Sequence, residues 1–184
     1  MAVAPFQIIA GPADVWIAPV ATAFPAVNAA PGGGWVALGR TEGGVTVRHT
    51  QSVEMLMSDQ DNAPIKAIRS EEGLEVEFSM AELTLENYKY AINNATVTAE
   101  AGPPAIKRID LYRGYEVQQH ALLVRGPSPY MNAQLQYQIP VVVQTEEPEV
   151  EFVRDDKAVL NVVFSALVDF SGGPKFGRLI AQTA

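Results

Sequence analysis

Polar and apolar positions alternate with period two along most of this chain, and runs of turn-forming residues separate the alternating stretches. Alternation places successive side chains on opposite sides of an extended backbone, so the pattern predicts antiparallel β-structure with one buried and one wet face. Asp14 to Val20 is the first strand, and the loop from Ala26 to Gly34 leads to a short one at Trp35 to Gly39. After a turn at Gly43-Gly44, the segment Val45 to Ser58 extends without a break. Val45, Val47, Val53, Met55 and Met57 share one face. Thr46, Arg48, Thr50, Ser52, Glu54 and Ser58 share the other, with Leu56 as the exception. The polar tip Asp59, Gln60, Asp61, Asn62, Ala63 and Pro64 reverses the chain. The return arm starts at Ile65, is broken at Glu71-Glu72-Gly73, and ends with Leu74, Val76, Phe78 and Met80 alternating with Glu75, Glu77 and Ser79. This makes a long hairpin over residues 45–80, half buried and half wet. Its arms far exceed the typical strand of about five or six residues, so the hairpin is expected to reach beyond its own domain.

A different period interrupts the β pattern once. Thr84 is a good cap, Glu86 suits a helix N-terminus, Leu85, Tyr88, Ala91 and Ile92 fall on one face, and Asn93-Asn94 stops the run. The spacing predicts a helix over residues 84–94, packed on the sheet. Strands then resume at Thr96 to Glu100, Ile106 to Tyr112, Glu116 to Arg125, Gln134 to Gln144 and Val159 to Phe170. Gly-Pro turns stand at Gly102-Pro103, Gly126-Pro127 and Gly173-Pro174. The acidic run Glu146 to Glu151 reads as a connection between strands. The fold class expected is mainly β: an antiparallel β-sandwich or barrel with one short flanking helix and a long extended hairpin, in a single domain over residues 1–184.

Composition sharpens the expectation of a partner. Only 18% of the 184 residues are charged while 48% are hydrophobic, against about 25% charged in an average soluble domain. A monomer so composed leaves neutral and apolar surface in water, which favours a homo-oligomer. The net charge of −8 argues against a grip on nucleic acid, because phosphate binding depends on Lys and Arg. The absence of cysteine removes disulfides, thiolate metal sites and thiol nucleophiles. The first residues lack a basic region ahead of a short apolar run, so they fail as a signal peptide, and no segment approaches the ~18 apolar residues of a membrane helix.

Reactive groups do not converge. His49 and His120 each sit in a strand alternation without nearby metal-ligating partners, which favours structural roles. Asp59 and Asp61 begin like a calcium loop, but Ala63, Pro64 and Ser70 occupy positions where that loop needs a ligand, glycine and glutamate. The glycines at 32–34 lack the lysine of a phosphate loop. Gly126-Pro127-Ser128-Pro129 places proline where a nucleophile elbow needs a backbone N–H. Neither an enzyme nor a cofactor or metal site is expected, and no catalytic residue is assigned.

Several stretches, taken in order, resemble the tail tube (major tail) proteins of long-tailed phages. They are Gly11 to Val20, Trp35 to Gly39, Thr41 to Val45, Ser58 to Gln60, Glu82 to Asn87, Ala121 to Pro129, and Asp155-Asp156-Lys157 leading into Val159 to Phe170. The resemblance implies a β-sandwich subunit that assembles into rings, usually hexameric, which stack into the conduit through which DNA leaves the virion. It implies that the long hairpin contributes to the inner wall and touches the neighbouring ring, and that a terminal arm, here residues 1–11, reaches an adjacent subunit. Tape-measure and tail terminator or tip proteins are implied partners, DNA passes without specific binding, and the tail is assembled in the host cytoplasm. Within that picture Glu54, Glu75 and Glu77 are expected to face the lumen, opposite an apolar face that must be buried. Asp59, Gln60, Asp61, Asn62 and Pro64 are expected to contact the next ring. Competing readings are the tube of a contractile tail or a type VI-like secretion system, and a stand-alone carbohydrate-binding or adhesin module, which needs a row of exposed aromatics.

Overall fold

The computed structural model describes residues 8–93, 96–130, 133–152, 154 and 157–183. Strand accounts for 46% and helix for 4% of the described residues, so the fold is mainly β. Ten strands form: β1 (Asp14–Pro19), β2 (Val36–Ala37), β3 (Thr41–Leu56), β4 (Lys66–Met80), β5 (Val97–Glu100), β6 (Ile106–Ile109), β7 (His120–Pro127), β8 (Gln134–Gln144), β9 (Leu160–Ala166) and β10 (Arg178–Ala181). The helix α1 covers Leu85–Ala91. All strands except β5 and β6 join one antiparallel sheet in the order β2-β1-β7-β8-β9-β4-β3, with β10 also paired to β8.

The sheet folds over on itself at β8. Residues Leu135 to Gln138 pair with β10, whereas Val142 to Gln144 pair with β9, so two strands share one edge of β8 in succession. Pro140 lies between the two pairings and has no N–H to offer a ladder. On the opposite edge, His120 pairs with Val142 and Leu122 with Ile139, so Pro140 and Val141 face a single residue of β7. This bulge bends the strand and resets its alternation, so that Ile139 before it and Val142 after it both enter the same core. Val15, Ile17, Leu122 and Val124 from one half of the sheet meet Val76, Phe78, Val162 and Phe164 from the other. Phe78 and Phe164 stack with ring centroids 5.9 Å apart. Elements distant in the strand order thus share one core, which makes a β-sandwich.

A smaller core lies on the other face of β1 and β7, where Ala18, Ala121 and Leu123 are roofed by Trp35 and Phe24 from the Pro- and Gly-rich loop. Trp35 donates its Nε1–H to the carbonyl of Ala23 at 3.0 Å.

The helix is shorter than its sequence pattern predicts. Thr84 caps it by accepting from the N–H of Asn87, and Asn93 at φ 52° turns the chain out of the helix; Asn94 lies outside the described residues. The buried side chain of Asn87 donates to the carbonyls of Leu38 and Glu82 at 3.3 and 3.0 Å, tying the helix to the sheet. Other differences also have local causes. Gly43 and Gly44, both at positive φ, form a bulge inside β3 instead of a turn before it. Glu71-Glu72-Gly73 does not break β4, whose irregularity lies at Ser70, the unpaired residue between the pairs Ser52 to Glu71 and Val53 to Arg69. Residues 110–119, divided by the sequence pattern between two strands, form an irregular connection, and the short strand β10 is added near the end. Residues 1–7 of the expected arm, and Asp155-Asp156, lie outside the described residues.

Candidate functional site

The sheet delivers its longest ladder, β3 against β4, to one end of the strand order. β9 covers the other edge of β4 only from Glu75 to Met80, so the sandwich ends at that level. Beyond it no strand among the described residues pairs with the outer edges of the hairpin. Leu74, Val76, Phe78 and Met80 are buried, Val45 and Val47 are half-buried, and every residue of β3 from Arg48 onward is exposed. The predicted half-buried face is therefore buried only at its base. Farther out, Met55, Met57 and Ile65 are 65%, 63% and 61% exposed, and Val53, Leu56 and Ile68 also face solvent. Such a run of apolar side chains on a thin, two-sided arm marks a surface that is covered by something else.

Cross-strand pairing fixes which side chains share a face. Val53 pairs with Arg69 and Met55 with Ala67 on the side continuous with the core, where Nε of Arg69 donates to Oε1 of Gln51 at 3.1 Å. Thr46 pairs with Glu77, Arg48 with Glu75, Ser52 with Glu71, and Glu54 with Ile68 on the other side. Glu54, Glu75 and Glu77 thus lie on a single face, pointing away from the core. Arg48 sits between two of them, with Nη2 3.0 Å from Glu77 and Nη1 3.5 Å from Glu75. These ion pairs are exposed, so they organise the surface and add little stability. With Glu54, Glu71, Glu75 and Glu77 set against Arg48 and Lys66, this face of the hairpin is net acidic. It continues onto β9, where Asn161 and Ser165 stand opposite Ser79 and Glu75, and Oγ of Ser79 donates to Oδ1 of Asn161 at 2.5 Å.

The tip residues Asp59, Gln60, Asp61, Asn62 and Pro64 are all exposed. The turn is held at its base by the N–H of Ile65 donating to the carbonyl of Leu56, at 2.9 Å, and by the N–H of Asp61 donating to that of Ser58, at 3.2 Å. Neither tip carboxylate has an ion pair among the described residues. β3 is the last strand of the sheet, so its outer edge presents backbone N–H and C=O groups with no partner strand among the described residues.

The remaining polar groups serve the fold. His120 packs edge-on against Tyr90, with centroids 5.2 Å apart, and burial, seconded by the positive charge of Lys89, lowers its pKa. His49 is exposed opposite Leu74. No group of three or more potential metal ligands gathers among the described residues, and no helix among them is long and apolar enough to cross a membrane. Trp35 is buried in the small core, and Trp16 lies under the guanidinium of Arg125, so neither offers a free stacking platform. The pattern of alternation missed the exposure of both faces of the arm. Leu56, out of phase with its neighbours, was the signal for it.

The family model for phage tail tube proteins matches residues 4–176, nearly the full chain. A search among curated proteins finds no match.

Proposed function

The chain belongs to the phage tail tube protein family, a structural family of virion components that build a tube, and from that premise we propose how this subunit makes one. The whole chain acts as one tube domain. Six copies close into a ring through the free edge of β3, and the rings stack through the hairpin into a conduit for DNA ejection. The observation that carries this reading is the distal half of the hairpin, uncovered in the single chain, with Val53 and Met55 exposed on its core side and Leu56 and Ile68 exposed among charged residues on the other. Ring closure removes the open edge, since a head-to-tail contact whose rotation closes leaves no strand unpaired.

The acidic face fits the lumen. Six copies at −8 each carry −48, and a wall bearing Glu54, Glu75 and Glu77 repels passing phosphates, whereas a basic wall binds them through counterion release. Asp59, Gln60, Asp61, Asn62 and Pro64 then meet the next ring. Tape-measure, terminator and tip proteins set the length and ends of the tube, which is assembled in the host cytoplasm. The test is electron microscopy of purified protein at rising concentration. Hollow six-fold tubes with the three glutamates on the inner wall are expected. Compact monomers at every concentration, or tubes carrying these residues on the outside, overturn the reading.

A further inference from the structure

The two outer faces of the sandwich point in opposite directions. Glu75 and Glu77 stand on one of them, directed away from the core. The other belongs to β1, β7, the first half of β8, and β10. Gln138 pairs there with Leu123 of the small core and with Arg178, so these three side chains share a face. A trough crosses this face at Pro140. Its larger part, about 300 Å³, is lined by Phe24, Pro140 and Pro174, with Gln138, Asp169 and Arg178 as its polar members. It continues past Phe24 and Asp169 into a part of about 190 Å³ that reaches Thr22. Together they have the scale of a small-ligand cleft.

Both walls are fixed by hydrogen bonds of their own. In the first, the N–H and hydroxyl of Thr22 both donate to the carbonyl of Pro19, at 3.2 and 2.7 Å, and Trp35 holds the carbonyl of Ala23. In the second, the N–H and hydroxyl of Ser171 donate to the two carboxylate oxygens of Asp169, each at 2.8 Å. The N–H of Asp169 in turn donates to the carbonyl of Lys175 at 2.9 Å. A cleft with walls already in place loses little freedom when it is filled.

The polar members restrict what can fill it. Asp169 disfavours an anion and Arg178 a cation, and neither has an ion pair among the described residues. A purely apolar ligand would desolvate carboxylate, guanidinium and amide without satisfying them. A pyranose ring meets both demands: its C–H face suits Phe24 and the prolines, and its hydroxyls donate to Asp169 and accept from Arg178 and Gln138. We propose that the trough between Phe24, Pro140, Asp169 and Arg178 is a binding site for a neutral oligosaccharide. With the acidic face turned to the lumen, the trough opens on the outer wall of the tube, where a glycan can reach it. That placement rests on the tube reading, whereas the binding itself does not.

The test applies the full-length protein, as subunits and as tubes, to an array of neutral hexose and N-acetylhexosamine oligosaccharides, with sulfated and sialylated ones beside them. Binding to neutral members is expected in both forms. For the tightest neutral ligand on the array, Arg178→Ala and Asp169→Asn are each expected to weaken binding about tenfold. Circular dichroism and thermal unfolding establish that both variants fold as the parent. Hydrogen exchange in the parent is expected to slow at residues 20–24 and 169–178 when that ligand is added. Tubes that bind no neutral glycan, that prefer charged ones, or whose binding survives both substitutions overturn the trough assignment and leave the tube reading intact. Binding that is lost on assembly means that a neighbouring copy fills the trough, and overturns the assignment as well. Neutral-glycan binding by protein that never forms tubes supports the trough and overturns the tube reading.

Discussion

Two nitrogens of Arg125, Nε and Nη2, donate to the same oxygen of Gln136, at 3.1 and 2.6 Å. The rest of the guanidinium reaches the carbonyls of Ala29 and Ala26 at 2.8 and 3.2 Å, and the Gln136 amide donates to Pro25 at 2.9 Å. One cation and one amide thereby satisfy three carbonyls of a loop that has no ladder of its own. Burial lowers the pKa of Arg125, with the nearby charge of Asp14 opposing it, yet a guanidinium stays charged throughout the working range.

Arg125→Met is therefore expected to destabilise the fold by about 3 kcal/mol, because it leaves the buried Gln136 oxygen and two part-buried loop carbonyls without their donor. Gln136→Leu is expected to cost a similar amount by stranding the cation. Their double variant should fall short of the sum, since each removes the partner of the other. Denaturant unfolding of the three variants checks this.

Gly177, at φ 110°, lies so close to the backbone of Gln138 that an added Cβ would collide with its carbonyl. Gly177→Ala is expected to cost well over 1 kcal/mol and to loosen β10 from β8. Gly43, at φ 72° with open space beside it, is the control: Gly43→Ala carries only the conformational cost, about 1 kcal/mol. Thermal unfolding, with hydrogen exchange at Leu179 to Ala181, separates the two.

Core and arm should respond oppositely to truncation. Phe164→Ala removes a fully buried ring and is expected to cost about 3–5 kcal/mol in the monomer. Val53→Ser combined with Met55→Ser touches nothing buried in the single chain, so monomer stability should change by no more than ~0.5 kcal/mol, while assembly is lost. Unfolding curves and sedimentation of the same samples give both readouts.

His120 sets a pH dependence of definite sign. Its folded pKa lies below the ordinary 6.5, so the unfolded chain takes up the proton first as pH falls. Stability from this group is complete above about 6.5 and declines as pH drops through that value toward the lower folded pKa. His120→Phe, which keeps a ring against Tyr90, should flatten the fall in unfolding midpoint as pH drops below about 6.5. An unchanged slope would assign it to other groups.

How legible these features are in sequence depends on the range of the interaction that creates them. Alternation marks β4 because its inner half has a buried side determined by its own residues, and it carries through β3, although only Thr41, Val45 and Val47 there are half-buried. Thr84 and Asn93 mark the helix ends through local hydrogen bonding and backbone conformation. The fold-over at β8 is less visible: Pro140 stands in a run that reads as continuous strand, and only the pairing of β9 and β10 to one edge shows what the proline divides. The Arg125 network joins residues about a hundred positions apart. β10 is four residues long and presents no period to detect. The trough beside it exists only once residues 20–24 and 169–178 have converged on Pro140.

Ser70 separates two properties of the hairpin that ordinarily change together. As the one unpaired residue of its bulge, with its Oγ donating to the carbonyl of Ser52 at 3.4 Å, it adds bend and twist to the arm. Without it, Glu71 would still stand opposite Ser52 and Arg69 opposite Val53, and every side chain beyond would keep its face. The curvature of the arm is thus adjustable at a single position that contributes nothing to its pattern of charge and apolar contacts. A lineage can refit the reach of this arm to a neighbour of altered spacing while leaving the surface that neighbour reads untouched.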